Sequence, residues 1–472
     1  MKLDALLSVI ITAAAFVADG ATPAWPGFRG LNSSGIGDGG TPPVNVSPTN
    51  SVLWKIQVPW SPSSPCIWDD QIFLTTFSDN ELQTRCYHRQ DGTLAWFRGL
   101  KPDKLETFHS TESSPAVPTP VTDGQRLVSY FGSFGLICYD RKGTELWRHP
   151  LPLALSAGGY GTASSPLIAG NLVVVNRDQN EGSALLAVDL HTGKTVWETP
   201  RLDAHGSFGT PILWRNNGID EVITPGSLRL KGYALSTGVE DWLVQGTASF
   251  ACTTPVVGDG LLYFAAWSNG KADSPWPTWE KFLEKFDKNK DGVISLDELD
   301  PAIRDFMRGL DLNQDGKIDK AEWDAIQATS AKGENLMVAV KPGGRGDISQ
   351  SHVVWKFTRG LPYVSSPLFY DGRIYLIKTG GMLSSVDART GNPYYTQERL
   401  DAPGDYYSSP VAGGGQIYVA SLDGKLTVVK AGGDKPEILH QAEFGERILA
   451  TPALVGNNLY LRTQSTLYAF GP

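Results

Sequence analysis

The stretch "SPLIAGNLVVVNRDQNEGSALLAVDLHTGKTVW", residues 165–197, holds two elements in order. A Ser-Pro pair leads into apolar residues, a turn and a β-type run. A small residue inside a second apolar run then precedes a polar turn and a tryptophan. Both elements recur. The first appears eight times, at "SPCIWDDQIFLTTF" (from 64), "TPVTDGQRLVSYF" (119), "SPLIAGNLVVV" (165), "TPILWRNNGIDEVIT" (210), "TPVVGDGLLYFAAW" (254), "SPLFYDGRIYLIK" (366), "SPVAGGGQIYVAS" (409) and "TPALVGNNLYLRT" (451). The second reads "CYHRQDGTLAW", "CYDRKGTELW", "AVDLHTGKTVW", "GYALSTGVEDW" and "SVDARTGNPYY", with weaker copies after Ala339 and Val428. Four short strands per unit, repeated at about 40–50 residues, predict an all-β fold, an eight-bladed β-propeller.

The last unit ends at "LYAFGP", with no room for its fourth strand. "SVLWKIQV" (51–58) matches "VVWKFTRG" (353–360) and aligns Trp54 with Trp96, Trp147, Trp197, Trp242 and Trp355. The N-terminal strand is therefore expected to complete blade eight and remove an open edge. A tryptophan that recurs once per blade reads as packing between blades rather than as chemistry. Cys86 and Cys138 align with Ala187, Gly232, Ala339, Ser385 and Ala469, a position that takes a small side chain, so both read as buried free thiols. For Cys66 and Cys252 the bridged and free states both stay open.

"AVDLHTGKTVW" resembles the pyrroloquinoline-quinone (PQQ) repeat, and "WPGFRGLNSSGIG" resembles the segment that opens many exported bacterial PQQ-like propellers. The resemblance covers residues 25–268 and 335–472. It implies a ring similar to quinoprotein dehydrogenases and to the propeller lipoprotein of the outer-membrane barrel-assembly machinery. It speaks for fold more than for function, because the repeat is structural.

The 472 residues carry a net charge of −9, which gives no bulk electrostatic reason to expect a nucleic-acid or anionic-membrane partner. Residues 1–20 read as a secretory signal, with Lys2 ahead of an apolar run from Leu6 to Val17. No other segment approaches 18 apolar residues in a row, so a membrane span is not expected. The chain is expected to be exported, to the periplasm or beyond. The expected division is a signal at 1–20, an extended segment at 21–50, a propeller at 51–268 and 335–472, and an insert at 269–334.

That insert interrupts blade five. It contains "FDKNKDGVISLDELD" (286–300), whose Asp287, Asn289, Asp291, Val293, Ser295 and Glu298 stand at positions 1, 3, 5, 7, 9 and 12 of a calcium loop, with Gly292 at position 6. A second loop repeats the pattern with Asp311, Asn313, Asp315, Lys317, Asp319 and Glu322, and with Gly316 at the turn. Calcium wants six to eight oxygens, which carboxylates, an amide, a hydroxyl and the carbonyls of Val293 and Lys317 supply. Apolar residues at helical spacing flank the loops, and Ile294 and Ile318 are placed to pair between them. Ser295 with Glu298, and Asp319 with Glu322, form capping boxes. The insert resembles the closely spaced EF-hand pairs of exported bacterial proteins and implies two Ca2+ sites. From Asp273 to Glu334 it carries fifteen acidic and nine basic residues, most of the chain's negative excess.

The resemblance also raises an enzyme. Quinoprotein relatives hold PQQ with a catalytic calcium and often a disulfide of adjacent cysteines. This chain has no adjacent cysteines and little length for the loops that build such a pocket, so PQQ-dependent oxidation of alcohols or sugars is the alternative and not the favoured reading. The seven histidines show no metal-ligand pair at i, i+4. "RGD" at 345–347 reads as a chance match. The loops ahead of the Ser/Thr-Pro pairs hold His109, Glu112, Tyr160, His205, Tyr363, Tyr406 and Arg447, with Phe208, Phe250 and Tyr407, and are the place for a ligand. The favoured reading is a non-catalytic scaffold for a protein, peptide or glycan partner. If hairpins between second and third strands share that face, the insert overhangs the funnel.

Overall fold

The computed structural model describes residues 22–180, 182–204, 206–268, 277–307, 310–312 and 315–472. The expected signal segment lies outside them. Eight antiparallel sheets, each with four strands from the repeat, form the blades. Blade one runs Cys66–Trp68, Gln71–Ser78, Glu81–His88 and Leu94–Leu100. First strands of neighbouring blades touch around the axis from blade one to four and from blade five to eight, and blade eight returns to blade one. Val52–Gln57 pairs antiparallel with Thr466–Phe470 and supplies the missing fourth strand of blade eight.

The Ser/Thr of each Ser/Thr-Pro pair has a defined task. The backbone N–H of Ser64 donates to Thr119 Oγ1 (3.0 Å), Thr119 to Ser165 (2.9 Å), Ser165 to Thr210 (3.1 Å) and Thr210 to Thr254 (3.0 Å). Thr254 donates to Ser366 (3.0 Å), Ser366 to Ser409 (2.9 Å), Ser409 to Thr451 (3.0 Å), and Thr451 back to Ser64 (2.9 Å). The eight bonds close a circle around the throat. A buried N–H at the head of an inner strand has no ladder partner there, and the next blade's hydroxyl satisfies it. The proline that follows brings no N–H to be satisfied.

The tryptophans seal the seams on the outside. Trp54, Trp96, Trp147, Trp197 and Trp355 each donate Nε1–H to a carbonyl of the next blade, those of Arg89, Arg141, Leu190, Leu235 and Ala388, at 2.9–3.0 Å. Their rings lie on turn glycines, Gly92, Gly143, Gly193, Gly238 and Gly391, where an added Cβ would come within 2.4–2.6 Å of the indole at positive φ. The small position pairs directly across from the ring, as in Cys86↔Trp96, Ala187↔Trp197 and Ala469↔Trp54.

The seam from blade four to blade five departs from this rule. Trp242 donates instead to Glu221 Oε1 (2.7 Å), within its own blade. Blade five's outer hairpin is longer here, and Gly346–Asp347 adds a parallel strand to Trp242–Leu243. Arg345 pairs with Asp241. The "RGD" triplet is thus part of an interblade clamp.

The N-terminal segment crosses the face opposite the funnel. Ala24–Trp25 pairs with blade one's inner strand, Asn32 exchanges two bonds with the backbone of Leu213, and Ile36 bridges Ala412. Arg29 is fully buried and donates Nη2–H to the Pro367 carbonyl (2.7 Å), and burial pushes its pKa down to about 9.

Candidate functional site

The insert leaves blade five between Leu261–Ala266 and Leu336–Val340, its second and third strands. Two bonds between Ser268 and Asn335, at 2.8 and 2.9 Å, clamp its root. Helix α1 (Trp279–Phe286) starts at the Thr278 cap, α2 is Pro301–Met307 and α3 is Lys320–Lys332. Phe282 stacks on Trp323 at 4.3 Å between ring centroids, at the centre of an apolar core. Ile294 pairs antiparallel with Ile318, joining the two loops.

Within loop one the backbone draws the side chains inward. Asp287 Oδ1 accepts from Lys290 N–H (2.7 Å) and Oδ2 from Gly292 N–H (3.0 Å). Glu298 Oε1 accepts from Lys288 and Asn289 (2.9 and 3.0 Å), and Oε2 from Ser295 (2.9 Å). Loop two repeats this. Asp311 accepts from Asp315 (3.1 Å) and Gly316 (3.0 Å), and Glu322 from Leu312 (2.7 Å) and Asp319 (3.0 Å). Asp311 and Glu322 are buried, whereas loop one faces solvent. Asn313 lies outside the described residues. Among the described residues no three His, Cys, Asp or Glu side chains gather closely enough to hold an ion. The donor set is mixed and all-oxygen, which fits a hard cation.

A cavity of about 620 Å³ lies on the propeller axis, under the insert. Hydroxyls of the throat circle line it, including Ser64, Thr119, Ser165 and Thr210, and Phe28 of the N-terminal segment closes it from the far side. Tyr160, Phe208, Phe250, Tyr363 and Tyr407 form its aromatic wall, and Leu310, Leu312, Ala325 and Ile326 of the insert form the roof. The insert therefore overhangs the funnel, as the strand order requires: hairpins between second and third strands and the loops entering each blade share one face.

Of the residues singled out from sequence, Glu112, Tyr160 and Tyr363 line the cavity. His109 stacks behind Tyr160 at 5.6 Å between centroids. Arg447 reaches across from the last blade connection to the Thr111 carbonyl and anchors the loop that carries Glu112. Tyr406 is a correction: it is buried in the seam of blades six and seven, with its hydroxyl on the Ala402 carbonyl (2.7 Å), and its neighbour Tyr407 faces the cavity. Successive residues of extended chain point to opposite sides, so one of the two had to turn away. His205 lies outside the described residues. All four cysteines are free; Cys66, Cys86 and Cys138 are buried, and Cys252 lines the cavity. Sequence reasoning missed the hydroxyl circle and Phe28. Eight copies of Ser/Thr-Pro were the signal for the first; for the second there was none.

An eight-bladed propeller of PQQ-repeat type carrying an EF-hand insert is the class that fold and site define. The family model described as outer membrane protein assembly factor BamB matches residues 83–274 and 309–471, and the chain belongs to that family. An EF-hand model matches residues 280–300, the first loop. A curated relative, the outer membrane protein assembly factor BamB of Marinobacter adhaerens, is 27% identical over 106 residues, 22% of this chain and 26% of that protein. The match thus spans about a quarter of the relative's length. Among solved structures, BamB from Moraxella catarrhalis superposes with a TM-score of 0.56 at 14% identity, over 89% of this chain and 97% of that one. The quinohemoprotein alcohol dehydrogenase from Comamonas testosteroni gives 0.55 at 12% identity, over 96% and 82%. At these identities the likeness is one of fold. PQQ itself, a tricarboxylate, does not fit this cavity: the described residues that line it include no Lys, Arg or His, and the one Asp or Glu among them is Glu112.

Proposed function

We propose that the chain is an exported, calcium-loaded propeller that holds a protein, peptide or glycan partner at its funnel face without transforming it. The observation that carries this reading is the insert's position: helix α3 and the start of loop two roof an aromatic cavity on the axis. Loops on one face of a rigid ring are where binding groups gather, and the EF-hand pair brings the start of its second loop to that face. Calcium, held by Asp287, Asn289, Asp291, Ser295 and Glu298 in loop one and by Asp311, Asn313, Asp315, Asp319 and Glu322 in loop two, with the Val293 and Lys317 carbonyls, would neutralise the insert's negative excess and fix its helices. Membership in the assembly-factor family supports a protein partner, and no described helix is long and apolar enough to cross a membrane.

Hydrogen exchange of the calcium-loaded chain, with and without a detergent extract of the bacterial envelope, tests this. Protection is expected in residues 107–113, 156–163 and 360–365. Protection confined to the opposite face would refute the assignment. Steady dye-linked oxidation of alcohols or sugars after incubation with PQQ and calcium would refute the non-catalytic part.

A further inference from the structure

The cavity is chemically lopsided. Five aromatic side chains, Tyr160, Phe208, Phe250, Tyr363 and Tyr407, surround a void whose described lining holds one carboxyl side chain, Glu112, and no Lys, Arg or His. These groups are held in place. Tyr407 donates its hydroxyl to Glu112 Oε2 (3.1 Å). The Glu112 and Ser113 N–H groups both donate to the His109 carbonyl, at 3.0 and 2.7 Å. Tyr160 lies edge-to-face with Phe208 at 6.4 Å, and Tyr363 is perpendicular to Trp267 at 5.7 Å. Burial, and after it the Glu112 charge, pushes the Tyr407 phenol up, so it stays a neutral donor at physiological pH.

One hydrogen bond from Tyr407 leaves Glu112 with acceptor capacity on both oxygens. An anion entering this void would lose its hydration and meet a like charge. A cation would gain the carboxylate and the negative faces of the rings together, and the ring contribution grows when water is excluded. At about 620 Å³ the cavity has the size of a small-molecule site.

We propose that the roofed cavity binds a hydrophobic organic cation, an aryl- or alkylammonium, with its charged head at Glu112 and its body against Tyr160 and Tyr363. This rests on the funnel-face reading above and adds to it a small-molecule site beneath the face that the partner covers. The test is calorimetric titration of the calcium-loaded chain with benzyltrimethylammonium, with its neutral isostere neopentylbenzene, and with benzenesulfonate. The cation is expected to bind at least 10-fold more tightly than the isostere, and the sulfonate not at all. Glu112→Gln is expected to weaken the cation 10-fold or more and leave the isostere unchanged. Tyr363, 39% exposed and thus tolerant of change, supplies a second variant: Tyr363→Leu is expected to weaken the cation about 5-fold with no change in charge. Equal affinity for cation and isostere, or an unchanged cation affinity in Glu112→Gln, overturns the charge assignment alone. Failure of all three probes to bind overturns the cavity as a ligand site and leaves the partner at the funnel face to its own test.

Discussion

The propeller is held by contacts that recur from blade to blade, whereas the insert is held by a single apolar core. The throat circle is made of eight equivalent N–H to hydroxyl bonds, and five seams repeat the same indole-to-carbonyl contact. The insert has one apolar core, built around Trp279, Phe282 and Trp323. Leu310 and Ile326 belong to that core and also to the cavity roof, so the insert's own packing is continuous with the site. The comparison teaches where to look for chemistry. Residues that recur serve closure of the ring. The groups facing the cavity, Glu112, Tyr160 and Tyr363, sit in connecting loops that differ from blade to blade.

The largest effect should come from breaking a repeated seam. Trp147 is buried against Gly193 and donates to Leu190, so Trp147→Ala opens a cavity between blades two and three. A cost of about 3–5 kcal/mol is expected in the main denaturant transition. Trp323→Ala in the insert should leave that transition nearly in place and remove the calcium response. If both variants shift the same transition equally, ring and insert are one cooperative unit and the contrast fails.

Glu106 tests an unrepeated group inside the ring. It is buried and accepts from the Thr162 N–H (2.9 Å) and hydroxyl (2.7 Å), tying the loop that carries Glu112 to the loop that carries Tyr160. Burial raises its pKa from 4.5 to about 7. The folded state then binds more protons than the unfolded state between those values. Its contribution is therefore full below pH 4.5 and is lost as the pH rises to 7, by on the order of 2–3 kcal/mol. Glu106→Gln should flatten that part of the curve of melting temperature against pH. An identical slope in parent and variant would remove the assignment.

Much of this was legible in one dimension. A small residue and a tryptophan at fixed spacing gave the strand pair, because Cys86↔Trp96 and Ala187↔Trp197 lie across a single hairpin. Both calcium loops, their capping boxes and the Ile294–Ile318 pair are local for the same reason. The throat circle was not legible, since each hydroxyl's partner lies in the next blade, 42 to 387 residues away. Its Ser/Thr-Pro pairs look like turn punctuation until the ring closes. Tyr406 and Tyr407 could not be told apart, because only the packing of the seam decides which one turns outward.

Calcium removal addresses the insert alone. At a free calcium concentration 100-fold above its dissociation constant, each site adds about 2.7 kcal/mol to the unit that binds it. Chelation should therefore lower the insert's transition by that order per site and leave the ring's transition where it was. Titration should reach two ions per chain, one in Asp287→Ala or Asp311→Ala, and none in the double variant. A parent stoichiometry of one would restrict binding to a single loop.

The smallest effect is at a single member of the throat circle. Thr210 Oγ1 accepts the Ser165 N–H at 3.1 Å, and its side chain is buried. Thr210→Val keeps the volume and leaves that N–H without an acceptor, at a cost of about 1–2 kcal/mol. Thr210→Ser restores the acceptor and should recover most of the loss, which a simple packing defect would not allow. Because the circle has eight equivalent links, Ser366→Ala or Thr451→Val should cost about the same as Thr210→Val. A cost that instead depends on the blade would show that the links are unequal, and that the closure at Ser64 and Thr451 carries more of the ring than symmetry assigns to it.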